Sequence, residues 1–454
     1  MKSKSKENKL NKLNKLNKLN KLTNKNGKKL KVLFVHQNFP GQFKHLAPAL
    51  VNLGCDVLAM PLRQTSGVPA GIWNGVKIIP YDISRSSTPN IHPWAIDFES
   101  KIIRAEGLFN AALNLRNKQN YQPDIIISHY GWGESLLLKQ VWSNAKLGVY
   151  CEFFYDADGP ENNFDAEFSN PQNLSIEQER CRLYFKNLHS FLTFQNNNAD
   201  LGICPTFWQC STFPQEYQQK ISVIHDGIDT NFLRPNPNVK IKLSENLTLQ
   251  KSDEIITFVN RNLEPSRGYH IFMRCLPELL KRRPNAHILI VGGDKVSYGA
   301  APSPEKYGKN SWKNIFINEV RPQISDQNWQ RVHFLGNVPY QNFIGILQIS
   351  SVHIYLTYPF VLSWSLLEAM SCGAAIVTSD TEPLREVIKD NETGKMVNFF
   401  DKTTLINTIC HLLDNPQERQ RLGENARQFA INNYDLQSVC LPKQIQWVKT
   451  LAEL

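Results

Sequence analysis

From Lys31 to Asp380 the chain alternates short β-rich apolar runs with longer segments whose apolar residues recur at helical spacing. Lys31–His36 is such a run. A Pro40–Gly41 break follows, then a helical stretch with Phe43, Leu46, Leu50 and Leu53 on one side. Gly54 ends that helix, and Asp56–Met60 reads as the next strand, completing a βαβ unit that opens a parallel sheet. "PDIIISHYGW", "KLGVYCEFFY" and "LGICPTFWQCSTF" supply further strands. "ISVIHDGIDTNFLRPNPNV" predicts a strand leaving one domain, a glycine turn and a proline-punctuated linker. A second βαβ series then runs through "IITFVN", "HILIVGGD", "RVHFLGNVP", "SVHIYLTYPF" and "AAIVTSD". The pattern predicts an α/β chain of two successive doubly wound, Rossmann-like domains, 31–228 and 229–435. A C-terminal helix, 436–454, packs back on the first domain. A cleft between the domains would receive ligands at the carboxyl ends of the strands.

Length agrees with this division, since 454 residues exceed one ordinary core and suit two domains of roughly 200 residues each. The net charge of +10 suggests a nucleic-acid partner until it is mapped. Residues 1–31 hold 12 Lys and one acid, Glu7, which leaves the remainder at −1. The body is close to neutral and the basic character belongs to a tail, so nucleic-acid binding is not expected. Within that tail, residues 8–22 repeat Asn-Lys-Leu. A three-residue period rotates each successive leucine by about 60° on a helix and makes no sharp apolar face. Residues 1–30 therefore read as a disordered basic low-complexity tail, with a weak basic contact to anionic lipid or nucleic acid as its alternative role. Nine scattered cysteines without a CxxC pair fit a reducing compartment. No apolar run is long enough to cross a bilayer and no signal-peptide core is present, which together predict a cytoplasmic protein.

Several polar residues stand where such folds bind ligands. Arg261 and Arg267 flank "RNLEPSRG" after a strand, and two fixed cations there suit a diphosphate, whereas the plain alternative is a pair of solvated arginines. Gly41 lies between the first strand and first helix, where the backbone can approach a ligand or simply turn. His129 ends the strand "DIIIS" and could donate to a hydroxyl or relay a proton. Asp156-x-Asp158 has the form of a metal-binding tripeptide, but one such match is expected by composition alone, and no metal is predicted. Ser365 and Glu368 have the S-x-x-E spacing of a capping box, which predicts a helix start with Glu368 closing the first turn. The same carboxylate could instead accept from sugar hydroxyls at a helix mouth.

"HQNFPGQFKHLAPAL", "VIHDGIDTNFLRP", "RNLEPSRG", "FLGNVP", "LLEAMSCGAAIVTSD" and "REVIKDNETG", in this order, resemble family 4 glycosyltransferases, which have the GT-B fold. The resemblance covers about residues 31–435 and implies a retaining, metal-independent hexosyl transfer. The donor would be a UDP- or GDP-linked sugar and the acceptor a glycan or lipid-linked hydroxyl, with no cofactor beyond the donor. It implies that Arg261 and Arg267 neutralise the leaving diphosphate, His129 serves the active site, and Glu368 holds the nucleotide ribose. Gly41 would lie near the diphosphate, Gly336, Asn337 and Val338 beside the base, and Ser363, Trp364 and Ser365 beside the sugar. One departure stands out. The first carboxylate of the family's E-x7-E motif is replaced by Phe360, or by Tyr358 if two residues are inserted. Glu152 stands where many relatives carry a histidine, so Glu152 and Tyr358 are added as candidate substrate contacts. The missing carboxylate keeps two alternatives in view, a non-catalytic nucleotide-sugar-binding module and a GT-B isomerase or hydrolase.

Overall fold

The computed structural model describes residues 22–168, 174–195, 198–308 and 310–454. The Asn-Lys-Leu repeat up to Lys21 lies outside them. Order begins earlier than the expected Lys31. Leu22 and Leu30 are buried, a bridge joins Thr23 to Lys29, and Asn24 Nδ2 donates to Asp124 Oδ1 at 3.1 Å. Two apolar side chains and a satisfied turn are enough to fix this segment against the first sheet.

Two compact units form. The first comprises residues up to Ala157, Ser175–Asp226 and Cys440–Leu454. Its strands are β1 (Lys31–Val35), β2 (Asp56–Met60), β3 (Gly71–Trp73), β4 (Val76–Ile78), β5 (Ile125–His129), β6 (Lys146–Tyr150), β7 (Leu201–Cys204) and β8 (Ile221–Val223). They lie in the order β3-β4-β2-β1-β5-β6-β7-β8, parallel except for the β3–β4 pair. The inner strands are buried almost throughout, which is why their sequences are continuous apolar runs. The C-terminal helix Leu441–Glu453 belongs to this unit. Trp447 Nε1 donates to the Gly202 carbonyl at 3.1 Å. A Cβ on Gly148 would come within 2.5 Å of the Trp447 ring, so only glycine leaves room for this helix on β6.

The second unit comprises Asp158–Leu174 and Gly227–Val439. After the hairpin β9 (Lys240–Ser244) and β10 (Leu247–Gln250) come β11 (Ile255–Asn262), β12 (His287–Gly293), β13 (Val332–Gly336), β14 (Val352–Tyr355), β15 (Ala375–Ser379) and β16 (Lys395–Val397). The last six form a parallel sheet in the order β13-β12-β11-β14-β15-β16. Helix Tyr269–Arg282 fills one face with Phe272, Met273, Leu276 and Leu279, and helix Trp364–Ser371 helps to cover the other with Leu366, Leu367 and Met370.

One segment departs from the expected boundaries. Residues 158–168 follow β6 in sequence, yet they belong to the second unit. Phe164 packs on Tyr358, Phe399 and Phe400, and Phe168 on His270, Trp312 and Phe316. Full burial of such a ring is worth roughly 1.5–3 kcal/mol, and these two, partly buried, each gain a share of it. Between them Asp165 is 4% exposed and accepts from Tyr358 Oη at 2.6 Å, with His270 Nε2 3.0 Å away at an angle too oblique for a full hydrogen bond. Burial pushes the Asp165 carboxyl up, but His270 and Tyr358 outweigh it and hold the group below the usual range. Arg274 grips Glu167 with two 2.7 Å hydrogen bonds. Asp165→Ala strands the part-buried Tyr358 hydroxyl, at a cost of about 1–3 kcal/mol. Calorimetry should then show the second unit's melting transition lower by ~3–10 °C, and less for Asp165→Asn, which keeps an acceptor. An unchanged transition would show that the two phenylalanines alone hold the segment.

Candidate functional site

In the second unit the direction of strand addition reverses between β11 and β14, and such a switch point opens a crevice at the carboxyl ends. A cavity of about 250 Å³ lies there. Val259, Asn260 and Arg261 of β11 line it, together with Val291 of β12, Asn337 and Val338 beyond β13, Tyr340 and Phe343 of helix Tyr340–Ile349, and Ser363 and Ser365 at the start of helix Trp364–Ser371. Its wall is apolar at Val259, Val291, Val338 and Phe343 and polar at the remaining positions. Gly336 ends β13 with φ +62°, a left-handed conformation that turns the chain into Asn337 at little cost. Arg261 is exposed at this cavity and makes no ion pair among the described residues.

The structure separates the two predicted cations. Arg267 is 5% exposed and does not line the cavity. Its Nη1 donates to Thr357 Oγ1 at 2.9 Å, to the Val361 carbonyl at 3.1 Å and, more weakly, to Tyr355 Oη at 3.5 Å. The rings of Tyr298 and Phe360 lie 5.1 and 5.8 Å from its guanidinium carbon. Phe360 thus gives Arg267 an aromatic face. Tyr358 is turned to Asp165 and is no part of the cavity wall. Glu264 was not anticipated. Its Oε2 accepts from the backbone N–H of Ser297 at 3.1 Å and of Tyr298 and Gly299 at 3.4 Å, fixing the loop that carries the Tyr298 ring.

The capping box expected of Ser365 and Glu368 is not formed. Ser363 is the N-cap, its Oγ accepting from Ser365 N at 3.3 Å, and the helix runs Trp364–Ser371. Glu368 is then the fifth helical residue, beyond reach of the cap. Its Oε1 instead accepts from Tyr340 Oη at 2.6 Å. Burial and the adjacent carboxylate both push the Tyr340 phenol up, so it remains a donor. Tyr340 stacks between Phe232 and Phe343, at centroid distances of 6.4 and 5.8 Å. Nothing in the apolar spacing marked Tyr340, since only the fold brings it to Glu368.

The first unit has its own switch point, between β1 and β5. His36 follows β1 and His129 ends β5, with ring centroids 5.3 Å apart and both rings buried. Asn38 N donates to His36 Nδ1 at 3.0 Å and Gly131 N to His129 Nδ1 at 3.2 Å, so each ring carries its proton on Nε2. His36 Nε2 meets Gln42 Oε1 at 2.8 Å, and Gln42 Nε2 donates to Glu152 Oε1 at 3.4 Å. His129 Nε2 lies 3.6 Å from Glu152 Oε2, beyond hydrogen-bond distance. Burial, with His129 beside it, lowers the His36 pKa to about 3, so the ring is neutral at ordinary pH. Gly41 has φ +44° and would place a Cβ 2.7 Å from the His36 ring. Its need for glycine is thus the packing of His36, and the helix proper begins only at Leu46. His36 and Gln42 were missed although "VLFVH" ends as "DIIISH" does. Glu134 is fully buried and takes Tyr81 Oη at 2.9 Å, a structural acid whose pKa burial raises.

Among the described residues no three His, Cys, Asp or Glu side chains gather as they would around a metal ion, and no helix is long and apolar enough to cross a membrane.

Two family models match consecutive parts of the chain, the glycosyl transferase family 4 group over residues 54–233 and glycosyl transferases group 1 over 239–429. A D-inositol 3-phosphate glycosyltransferase of Corynebacterium efficiens is 24% identical, the match covering 70% of each chain. A GDP-mannose-dependent phosphatidylinositol monomannoside mannosyltransferase of Mycolicibacterium smegmatis is 22% identical over 52% of this chain and 59% of its own. Among solved structures, sucrose-phosphate synthase from Thermosynechococcus elongatus superposes with a TM-score of 0.70 at 17% identity, covering 94% of this chain and all of that one. HepE of Anabaena, solved with UDP and glucose, superposes with a TM-score of 0.62 at 16% identity over the same shares. The two matched models, the two parallel sheets and these structural neighbours agree: the chain belongs to the family 4 glycosyltransferases of GT-B fold, enzymes of glycan and glycolipid synthesis.

Proposed function

We propose that the chain is a retaining hexosyltransferase that moves a sugar from a UDP- or GDP-linked donor to an acceptor hydroxyl on a glycan or lipid-linked glycan. The observation that carries this reading is the cavity at the β11/β14 switch point, with an unpaired arginine on one side and a helix mouth on the other. Its apolar strip along Val291 and Val338 suits a base, and the carboxylate of Glu368 behind Tyr340 suits a ribose hydroxyl, because an ionised carboxylate only accepts. Arg261 meets the β-phosphate. Arg267 adds a second, more deeply set positive charge that no carboxylate neutralises among the described residues. The amides of the helix that opens at Ser363 favour the same anion.

During transfer the bond between the anomeric carbon and the β-phosphate oxygen breaks, and its electron pair leaves with the diphosphate. Arg261 stabilises that growing charge. The acceptor oxygen forms its bond to the same face of the anomeric carbon and its proton passes to the departing phosphate. His129, and the carboxylate of Glu152 beside it, orient sugar or acceptor hydroxyls. Two arginines do the neutralising that a divalent ion does elsewhere, so the reaction is metal-independent in this reading. We also place the enzyme in the cytoplasm, a compartment suited to its buried free thiols, with the lysine-rich N-terminal segment touching an anionic membrane face.

Arg261→Ala is expected to lower kcat/KM by a factor on the order of 10², measured as nucleotide release from UDP-glucose or GDP-mannose in the presence of acceptor. Full activity in that variant would sink the assignment. Tyr340→Phe removes a short hydrogen bond to a carboxylate, which is worth about tenfold in donor KM with kcat nearly kept. The penalty should shrink for a 2′-deoxyribonucleotide donor that no longer engages Glu368. An equal penalty on both donors would show that Tyr340 acts only through the fold.

A further inference from the structure

The cavity at the β11/β14 switch point is one-sided in its hydrogen-bonding groups. Among the described residues that line it there is no aspartate and no glutamate. Its three hydroxyls have partners within the protein: Tyr340 Oη donates to Glu368, and Ser363 and Ser365 share a hydrogen bond of 2.9 Å. Arg261 and the carboxamides of Asn260 and Asn337 make no side-chain hydrogen bond among the described residues. A guanidinium only donates, and a carboxamide carries two N–H bonds for each oxygen. Open donors therefore outnumber open acceptors, and no acceptor-only group faces the cavity. Asn337 is placed to meet a base. It is exposed, follows Gly336 at the end of β13 and adjoins Val338 of the apolar strip. Its Nδ2 lies over the end of β12, where a Cβ on Gly293 would stand 3.2 Å away.

Resting on the glycosyl-transfer reading above, we propose that the donor is a uridine diphosphate sugar and that the Asn337 carboxamide selects uracil against guanine. Uracil presents one N–H between two carbonyl oxygens. A single carboxamide meets that edge with two parallel bonds, its oxygen taking N3–H and its amino group donating to the neighbouring carbonyl. Guanine presents O6 beside the N–H bonds of N1 and N2, a run of donors that calls for an acceptor-only group. A carboxamide that takes one of them sets its own N–H bonds against the rest of a donor-rich edge, in a wall already rich in donors. A donor left unmade on entering such a site is what turns the wrong ligand away.

The test is calorimetric binding of UDP and of GDP to the full chain, with no acceptor present. The unmodified protein is expected to bind UDP about tenfold or more tightly than GDP. Asn337→Asp makes the group acceptor-only, so it loses the donor to the uracil carbonyl and gains an acceptor for the guanine N–H bonds. The UDP-to-GDP ratio should fall by about tenfold or invert, and taking the ratio cancels the new charge's repulsion of the shared diphosphate. Asn337→Ala should lower the ratio through weaker UDP binding alone. Both variants replace an exposed side chain whose removal strands no partner, and an unchanged melting temperature checks that the fold is kept. An unmodified protein that prefers GDP, binds both alike or binds neither overturns the proposal, as does a preference that survives both substitutions. The transfer reading is decided separately, by turnover of UDP-glucose and GDP-mannose with acceptor. Transfer from GDP-mannose alone keeps that reading and sinks the uracil assignment, whereas Asn337-dependent UDP binding without turnover does the reverse.

Discussion

A right-handed connection that leaves β1 for β2 carries the chain to one face of the sheet, and the connection that returns to β5 carries it to the other. Between those two strands no connection crosses the carboxyl edge. The same reversal occurs at β11 and β14. Each unit therefore has one place where backbone ends and side chains are bare of covering loops, and both candidate sites stand there. His36 and His129 meet because β1 and β5 pair in register, Val35 opposite Ser128. Asn260 and Arg261 reach the cavity because β11 runs on past the end of β14, its neighbour at the switch point.

The positions around Arg267 leave its charge in place. A carboxylate at Phe360 would compete with any phosphate for the guanidinium. An aromatic face attracts the cation without cancelling its charge. Tyr358, the other residue that could stand in the motif's first place, is engaged with Asp165 and so helps to anchor residues 158–168. Glu264, although acidic and close in sequence, is occupied by three backbone N–H groups. The polar groups around Arg267 are thus in structural use, and the arginine is left positive.

The inner strands were legible because burial on both faces leaves continuous apolar runs, and Asp56–Met60 begins and ends where the pattern placed it. Edge elements were not. β3, β4 and β16 are three residues each, too short for any period, and the hairpin "KIKLSENLTLQ" alternates at the surface between charged residues that hid it. The affiliation of residues 158–168 was invisible because its cause is tertiary: two phenylalanines and one aspartate find partners more than a hundred residues away. Of the site, residues at strand ends could be read. Gln42, Tyr340 and Glu264 could not, since each matters through a partner remote in sequence.

Glu368 shows why a local motif can mislead about place and still point at function. S-x-x-E spacing suits a cap only if the serine is the first non-helical residue. Here Ser363 takes that role, because its main-chain N–H is fixed by Tyr355 Oη at 3.1 Å and its own Oγ reaches Ser365 N. The helix therefore starts two residues early and carries Glu368 past the turn whose amides it would have closed. A buried carboxylate left over from capping must find another donor or lose its charge. Tyr340 supplies one, and with it a direction: one oxygen is held by the phenol and the other is set by the same bond. A glutamate spent on its own helix start would be turned to those amides, whereas here the carboxylate meets Tyr340, a residue of the cavity wall.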